Sequence, residues 1–459
     1  MKPSYSLSIT DTSQHRLAIG WLSVAVGFLL ASGIYPLLLA LARTTYEMPW
    51  KELFYTALVL HVDFTVLWWL LAIAGVFWSL NSVGRGIQAG WMALALVVFG
   101  GIIVGIAPLT ADSNPLTNNY VPMLENKMFI KGLIVFGGGI LLLVLRSLFA
   151  TPMKETFSPD HEGAMRFGVW TAAIATLIAV LALLWTVANM PEIEDSRSYY
   201  EVMYWAGGHV LQFAHTALLC VCWLWLASVC GVETPVGPKV VMAAFAIGVA
   251  PVLLAPLPFL QYGLGNPEFM TWFVWLMRDG NGVAPLIIGL AIMAGIFRTR
   301  VPNLEDRHLY VSLLASIFLF AIGGALGFLI AESSTLITAH YHGSIVAVTM
   351  AFMAITYYLL PRFGFAQPNL KWARIQVYAY AVGQFLHIVG LAWGGGHGMK
   401  RKVVGTTQDL GMQAIVSPQD LVGLGGVIAV LSGLLFAAVV LPVMFKGRKV
   451  SAAEGEGQT

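Results

Sequence analysis

Twelve long apolar segments separated by short polar stretches are the feature that most limits how this chain can fold. Each is long enough to cross a bilayer, which takes a helix of about 20 residues, and in lipid a helix satisfies its own backbone hydrogen bonds. Only 10% of the 459 residues are charged, whereas a water-soluble domain carries about 25%. The sequence therefore predicts an all-α integral membrane protein with one domain, residues 1–459. Its predicted spans lie near 18–42, 53–80, 89–110, 128–149, 165–189, 203–231, 239–262, 268–297, 308–331, 335–361, 372–396 and 418–446.

The distribution of lysine and arginine predicts the orientation of this bundle. Cytoplasmic loops collect positive charge. Of the 25 Lys and Arg residues, 16 fall on the side that would hold both termini and seven on the other side. The remaining two, Lys131 and Arg278, lie inside predicted spans. We therefore expect a multi-pass protein of the inner (cytoplasmic) membrane with both termini in the cytoplasm.

Charge and cysteine content exclude several classes of function. A net charge of +2 spread over many loops offers no basic face for nucleic acid. All three cysteines, Cys220, Cys222 and Cys230, fall in one apolar segment, which excludes a disulfide framework, a zinc site and covalent CxxCH haem attachment. Any cofactor must be held non-covalently.

Histidines inside the spans carry the functional signal, because ionisable side chains are costly in a bilayer and usually functional. His340 and His342 lie in the segment TAHYHGSIVAVTMAFMAITYYLLP. At about 100° per residue of helix they point about 200° apart, so they cannot bind one metal together. Haem suits each of them, since imidazole is a usual axial ligand and a porphyrin fills a flat apolar space. His61, in LVLHVDFTVLWWLLAIAGVFW, is the natural second ligand for one of the two haems; the alternative is that all three are core histidines.

Nearly the whole chain resembles subunit I of the haem-copper oxidase superfamily, which contains cytochrome oxidases and nitric oxide reductases. The resemblance rests on the twelve spans, on a histidine in the second, and on the segments WAGGHVLQF, AHYHGSIVAVTMAFMAITYYLLPRFG and FLHIVGLAWGGGHGMKRK. It implies a bundle of the cytochrome oxidase subunit I type that holds two non-covalent haems. His340 would hold a high-spin, substrate-binding haem, and His61 and His342 a low-spin haem.

The same resemblance implies ligands at the non-cytoplasmic edge of the haems. Arg401 and Lys402, in the segment GMKRK, would bind the haem propionates, which are anionic and match the fork of an arginine. A solvated basic loop is the alternative. Glu332 precedes His340 by eight residues, where the family often has metal or propionate-network ligands. A structural divalent cation near Glu332 and an ordinary helix-end carboxylate are the two interpretations.

The family pattern breaks at the second metal of the active site. His209 matches the ligand that the family has on its sixth helix. The adjacent His-His pair of the seventh helix should fall near Leu257, Pro258 and Phe259, where the chain has no histidine. The redox-active tyrosine of oxidases, expected four residues after His209, is Phe213, and the membrane-embedded lysine of the eighth helix is also missing.

Helix geometry suggests replacement ligands. Gln212 shares the face of His209, whereas His215 is turned about 120° away and is more simply interpreted as a core histidine. Arg278 and Asp279 form a charged pair midway through the eighth span, followed by glycines that would allow a break in the helix. Asp279 could supply an oxygen ligand to a non-haem iron beside His209. The alternative is a self-neutralising pair at a kink.

Three functions follow from this pattern. The first is a nitric oxide reductase-type enzyme, with His209, Gln212 and Asp279 as candidate catalytic residues. The second is a terminal oxygen reductase, like a cytochrome c oxidase, with an unusual site. A non-haem iron in addition to the haems would favour the first function, and copper the second. The third is a haem-bearing electron-transfer or assembly subunit without turnover. The sequence contains no copper-thiolate or c-haem motif, so we expect an electron-donating partner such as a cytochrome c, a cupredoxin-like protein or another haem protein.

Overall fold

The fold is a bundle of long helices. The computed structural model describes residues 4–9, 12–42, 51–110, 113–299, 303–331, 333–401 and 417–447. Within them, twelve helical segments are long and apolar enough to cross a membrane, which confirms the predicted fold and the predicted spans. The α-helices are α1 (Ser13–Ala42), α2 (Lys51–Asp63), α3 (Leu70–Leu80), α4 (Ile87–Ile106), α5 (Lys127–Ala150), α6 (Met153–Thr156), α7 (His161–Ala188), α8 (Ser196–Val229), α9 (Pro238–Val249), α10 (Leu257–Gln261), α11 (Pro267–Trp275), α12 (Val283–Ile296), α13 (Arg307–Phe328), α14 (Thr335–Arg362), α15 (Leu370–Gly396) and α16 (Pro418–Phe445).

Three spans are interrupted between two α-helical pieces, and the third span ends in a 3-10 turn, Ala107–Leu109. In the second span a π-helical turn, Phe64–Trp69, joins α2 to α3. In the seventh, a 3-10 turn, Ala250–Leu254, follows α9 where Pro251 removes a backbone donor. In the eighth, a π-helical turn, Leu276–Gly280, follows α11, and α12 begins only at Val283. The interruption of the eighth span was expected from its glycines.

The candidate ligands lie on the spans that other helices enclose most. In the most apolar 18 residues of each span, the share that is buried reaches 72% in the second span, 83% in the sixth (α8) and 89% in the tenth (α14). In the seventh span it is 28%. These three spans carry His61, His209, and the pair His340 and His342. All four histidines are therefore on central helices.

The second and tenth spans pack side by side and, as even-numbered crossings, run in the same direction. The rings of Trp69 and Phe352 have centroids 6.3 Å apart. His61 precedes Trp69 by eight residues and His342 precedes Phe352 by ten. At about 1.5 Å per residue, the two histidines lie at nearly the same depth in the bundle.

The sixth span brings His209 to the same level. Trp225 of α8 packs against Tyr358 of α14, with ring centroids 5.8 Å apart. His209 precedes Trp225 by sixteen residues, and His342 precedes Tyr358 by the same number. Both helices cross in the same direction, so His209 and His342 are level with each other.

A short hairpin between the third and fourth spans reaches this region from the side of the bundle opposite to the one where α1 begins. Strands β1 (Pro115–Leu116) and β2 (Met123–Leu124) pair antiparallel. In the turn between them, the Asn118 side-chain oxygen accepts from the backbone N–H groups of Tyr120 and Val121, at 3.2 and 2.9 Å. These bonds hold the turn in a fixed shape that presents Tyr120 to α8.

Candidate functional site

His340 has the tautomer that a haem ligand needs. Its Nδ1 lies 2.7 Å from the backbone oxygen of Gly323 in α13. A carbonyl oxygen only accepts hydrogen bonds, so Nδ1 carries the hydrogen and Nε2 of the neutral ring keeps its lone pair. Orientation of one ring nitrogen by a backbone carbonyl is the usual arrangement for a histidine that binds metal through the other.

Glycines let α13 approach α14 closely enough for this bond. A Cβ added to Gly327 would lie 2.7 Å from Nδ1 of His340, and one added to Gly343 would lie 2.5 Å from the Cα atom of Gly323. Both distances are shorter than real Cβ contacts. The ring of His340 therefore lies directly against the backbone of α13, in a space that only glycine leaves open.

His61 and His342 take their orientation from other helices. Nδ1 of His61 lies 3.1 Å from the backbone oxygen of Ser32 in α1, so Nε2 of His61 also keeps its lone pair. The ring of His342 lies 4.8 Å from the ring of His387 in α15, whose Nδ1 donates to the oxygen of Val422 at 2.8 Å. His340 thus contacts α13 and His342 contacts α15, in agreement with the 200° separation predicted from sequence.

These observations fit the chemistry of two haems. Nε2 of both His61 and His340 can bind iron because Nδ1 donates to a carbonyl. His61 and His342 are level on adjacent helices, and His340 is oriented toward a different neighbour. The contacts are therefore compatible with the haem-ligand roles predicted for His61, His340 and His342.

Arg401 lies at the end of this region where α14 begins. Its Nη1 donates to the side-chain oxygen of Asn119 at 2.6 Å, and its Nε donates to the hydroxyl of Ser333 at 3.2 Å. The backbone N–H of Thr335, in the first turn of α14, donates to the oxygen of Met399 at 2.9 Å. The segment that carries Arg401 is therefore tied to the start of the helix that carries His340. Two further predicted residues, Lys402 and Glu332, and the cation site proposed near Glu332, lie outside the described residues.

His209 lies in a pocket of aromatic rings. Its ring centroid is 4.8 Å from that of Tyr120, 4.6 Å from that of Trp205 and 6.3 Å from that of Phe273. Nδ1 of His209 donates to the backbone oxygen of Trp205 at 2.8 Å, so its Nε2 is an acceptor. A Cβ added to Gly208 would overlap the Tyr120 ring, so glycine at this position allows the contact.

Tyr120 keeps its proton over a wide pH range. Burial raises the pKa of the Tyr120 hydroxyl well above its usual value, and the negative charge of Glu201 raises it further. Glu201 is held nearby because it accepts hydrogen bonds from the backbone and the side chain of Asn119. Tyr120 is therefore a hydrogen-bond donor beside His209 at any physiological pH.

The proposed replacement ligands do not gather around His209. The Asp279 side chain is 56% exposed, and its two oxygens accept from Nε and Nη2 of Arg278 at 2.8 and 2.9 Å. Leu276 and Gly280 are the buried residues of that turn. Among the residues that the structure describes, no group of three or more His, Cys, Asp or Glu side chains could hold a metal ion. The structure therefore does not support the predicted role of Asp279 as a metal ligand beside His209. Arg278 and Asp279 instead form the self-neutralising pair that was the alternative interpretation.

The other candidates on α8 contribute less to the pocket. Gln212 is half-buried on the same helix. His215 is 3% exposed, and neither of its ring nitrogens has a hydrogen-bond partner within the described ranges. Such a buried neutral ring agrees with the interpretation of His215 as a core histidine.

Sequence reasoning missed two residues of this region. Tyr120 lies in a loop, and nothing in its local sequence points to His209, 89 positions further along the chain. Asp63 is completely buried two residues after His61, and neither of its oxygens has a hydrogen-bond partner in the described part of the chain. A carboxylate inside an apolar span is the signal that could have identified Asp63.

Comparison with known proteins agrees with this architecture. A curated protein of Rickettsia prowazekii, named only as uncharacterised, is 26% identical over 514 aligned positions that cover 96% of this chain and 99% of the relative. Another uncharacterised protein, from Aquifex aeolicus, is 26% identical over 360 positions, 77% of this chain and 87% of the relative. A cryo-EM structure of a haem-copper terminal oxidase dimer superimposes with a TM-score of 0.68 at 14% identity, covering 96% of this chain and 86% of that chain.

The family comparison covers most of the sequence. The family described as cytochrome c and quinol oxidase polypeptide I matches residues 16–428, a range that includes all four candidate ligands and Arg401. Members of this family are membrane oxidoreductases that bind two haems and transport electrons. This chain belongs to the cytochrome c and quinol oxidase polypeptide I family, subunit I of the haem-copper oxidases.

Proposed function

We propose that this chain is the catalytic subunit of a nitric oxide reductase-type enzyme of the membrane. His61 and His342 hold a low-spin haem, and His340 holds a high-spin haem. When bound, the two haems would supply one electron each, and the haem held by His340 would bind a small gas. Reduction of two nitric oxide molecules to nitrous oxide and water consumes two electrons and two protons, whereas reduction of oxygen to two waters consumes four of each.

The observation that carries this proposal is the composition of the pocket around His209. Its contacts are the rings of Tyr120, Trp205 and Phe273, and the described residues provide no ligand set for a further metal. Two haem centres alone match a two-electron reaction. The apolar lining suits a small uncharged substrate such as nitric oxide.

The residues of the pocket can handle protons. Nε2 of His209 is an acceptor because Nδ1 donates to Trp205, and Tyr120 retains its hydroxyl hydrogen. His209 can therefore accept a proton in this pocket, whereas Tyr120, which retains its own, only donates a hydrogen bond.

A second candidate is oxygen reduction, and the contact between Tyr120 and His209 favours it. A phenol can give up an electron together with a proton, which would supply part of what two haems lack for a four-electron reaction. Tyr120 reaches His209 from a loop. The family pattern instead has its tyrosine four residues after the sixth-helix histidine, where this chain has Phe213. Oxygen reduction would make Tyr120 indispensable, and nitric oxide reduction would not.

An electron donor completes the proposed function. Because the sequence contains no copper-thiolate or c-haem motif, electrons would enter from a cytochrome c, a cupredoxin-like protein or another haem protein. The low-spin haem would receive them first.

Turnover of the purified protein tests the proposal. We would reduce it with an artificial donor and follow consumption of nitric oxide and of oxygen separately, together with haem, iron and copper content per chain. We expect nitric oxide consumption, two haems, and retention of activity in Tyr120→Phe. Oxygen consumption that disappears in Tyr120→Phe would favour the second candidate, and turnover of neither gas by a protein with both haems would favour an electron-transfer or assembly subunit. His340→Ala is the control for haem-dependent turnover.

A further inference from the structure

An ion pair in the eighth span faces outward from the bundle. Arg278 and Asp279 lie in the π-helical turn Leu276–Gly280, and their side chains are 44% and 56% exposed. Leu276 and Gly280 of the same turn are buried. Polar side chains in a membrane normally face the interior of a bundle, so this placement requires an explanation.

The pair lies deep in the span. Arg278 follows Pro267 by eleven residues and precedes Ile296 by eighteen. At about 1.5 Å per residue it is about 16 Å from one end of the helix and about 27 Å from the other. The hydrocarbon core is about 30 Å thick, so in a span centred on the core the ion pair lies about 10 Å inside it.

The hydrogen-bonding capacity of the pair is only partly used. A guanidinium has five N–H donors, and Arg278 uses two of them, on Nε and Nη2, to bind Asp279. The other three have no partner among the described residues. Lipid cannot accept hydrogen bonds, so unmet donors at this depth are costly. Acceptors from another polypeptide would remove that cost.

A second copy of this chain supplies matching groups at the right depth. Two copies inserted in the same direction bring identical residues to the same level of the bilayer. Each outward patch contains both a donor and an acceptor, so Arg278 of one copy can bind Asp279 of the other around a two-fold axis. Such a self-complementary patch is what a two-fold interface requires.

The surrounding helix face permits close approach. Gly282, in the next turn, is exposed, and a Cβ added there would meet nothing within 4 Å. Small residues at helix contacts in membranes allow two backbones to pack closely. We infer that this chain forms a two-fold dimer through its eighth span, with Arg278 and Asp279 of both copies at the centre of the contact.

Association in lipid tests this inference. We would label the full chain with donor and acceptor fluorophores, reconstitute it in phosphatidylethanolamine and phosphatidylglycerol vesicles, and measure energy transfer as lipid is added. We expect that replacing both charges, Arg278→Leu with Asp279→Leu, weakens association about tenfold or more. Interhelical hydrogen bonds in membranes contribute a free energy of about that size. Exchanging them, Arg278→Asp with Asp279→Arg, keeps the patch self-complementary and should preserve the dimer. Unchanged haem spectra would confirm that each variant is folded.

Cysteine crosslinking locates the contact without removing the charges. Gly282→Cys should give covalent dimers upon oxidation. Leu431→Cys, which is exposed at a similar distance from the non-cytoplasmic end of α16, should not, and neither should the native protein, whose three cysteines are buried. A wild-type protein that is monomeric at every dilution would overturn the inference. So would association that survives loss of both charges, crosslinking at residue 431 alone, or a different polypeptide crosslinked at residue 282.

Discussion

The imidazole of His340 donates from Nδ1 to the backbone oxygen of Gly323 at 2.7 Å. This bond joins two neighbouring spans, and it decides which ring nitrogen of His340 remains a ligand. It depends on the absence of a side chain at Gly327, since a Cβ there would overlap the ring. The position of the His340 ring is therefore set by glycines of another helix.

We predict that Gly327→Ala removes the high-spin haem signal and leaves the low-spin one. The new Cβ would lie 2.7 Å from Nδ1 of His340, which forces the ring away from Gly323. Gly324→Ala is the matched control, because a Cβ at Gly324 meets nothing within 4 Å. Optical and magnetic spectra of the two variants provide the measurement. Equal high-spin signals in both would contradict the assignment of His340.

We predict that His61→Ala and His342→Ala each abolish the low-spin, bis-histidine signal. Both residues are level on adjacent spans, and loss of either axial ligand leaves iron with one imidazole. His387→Ala is an informative comparison, since the ring of His387 lies 4.8 Å from that of His342 and Nδ1 of His387 also donates to a carbonyl. We expect His387→Ala to retain the bis-histidine signal. Loss of the bis-histidine signal in His387→Ala, together with its retention in His61→Ala, would contradict the pairing of His61 with His342.

The sequence was sufficient for the fold and for the opposite directions of His340 and His342, because both depend on local properties of a helix. Span length follows from runs of apolar residues, and the opposite directions of His340 and His342 follow from helix periodicity. Both are properties of one helix at a time. The structure agrees, because His340 contacts α13 and His342 contacts α15.

The pocket around His209 could not be derived in the same way, because its contacts come from distant segments. The Tyr120 contact depends on a loop conformation and on the glycine at position 208. For Asp279, the sequence predicted a site contact that the structure does not have. Its place in the middle of a span suggested a buried ligand, but the direction of its side chain is set by the π-helical turn Leu276–Gly280, and it faces outward.

Burial of Tyr120 predicts a change in stability at high pH. The pKa of its hydroxyl is raised by burial and by Glu201, whereas in the unfolded chain it is about 10. Below pH 10 both states keep the proton and Tyr120 causes no pH dependence. Above pH 10 the unfolded state releases the proton more readily than the folded state, so this residue lowers the stability of the folded state as the pH rises. Tyr120→Phe should therefore show a smaller fall in Tm between pH 10 and pH 11 than the wild type, and equal falls would contradict the buried, protonated hydroxyl.

Arg401 provides a test of the haem-edge assignment that is independent of turnover. It lies at the start of α14, held by Asn119 and Ser333, and a cation near the propionates would favour ferrous over ferric iron. Loss of one partly screened charge changes the interaction by about 1 kcal/mol, or about 40 mV for one electron. Arg401→Ala should lower a haem potential by that order in a redox titration. Arg401→Lys, which keeps the charge but loses the planar fork, should restore most of the difference. Unchanged or raised potentials in Arg401→Ala would contradict the assignment of Arg401 to the haem propionates. Arg401 would then be only a structural link between the hairpin and α14.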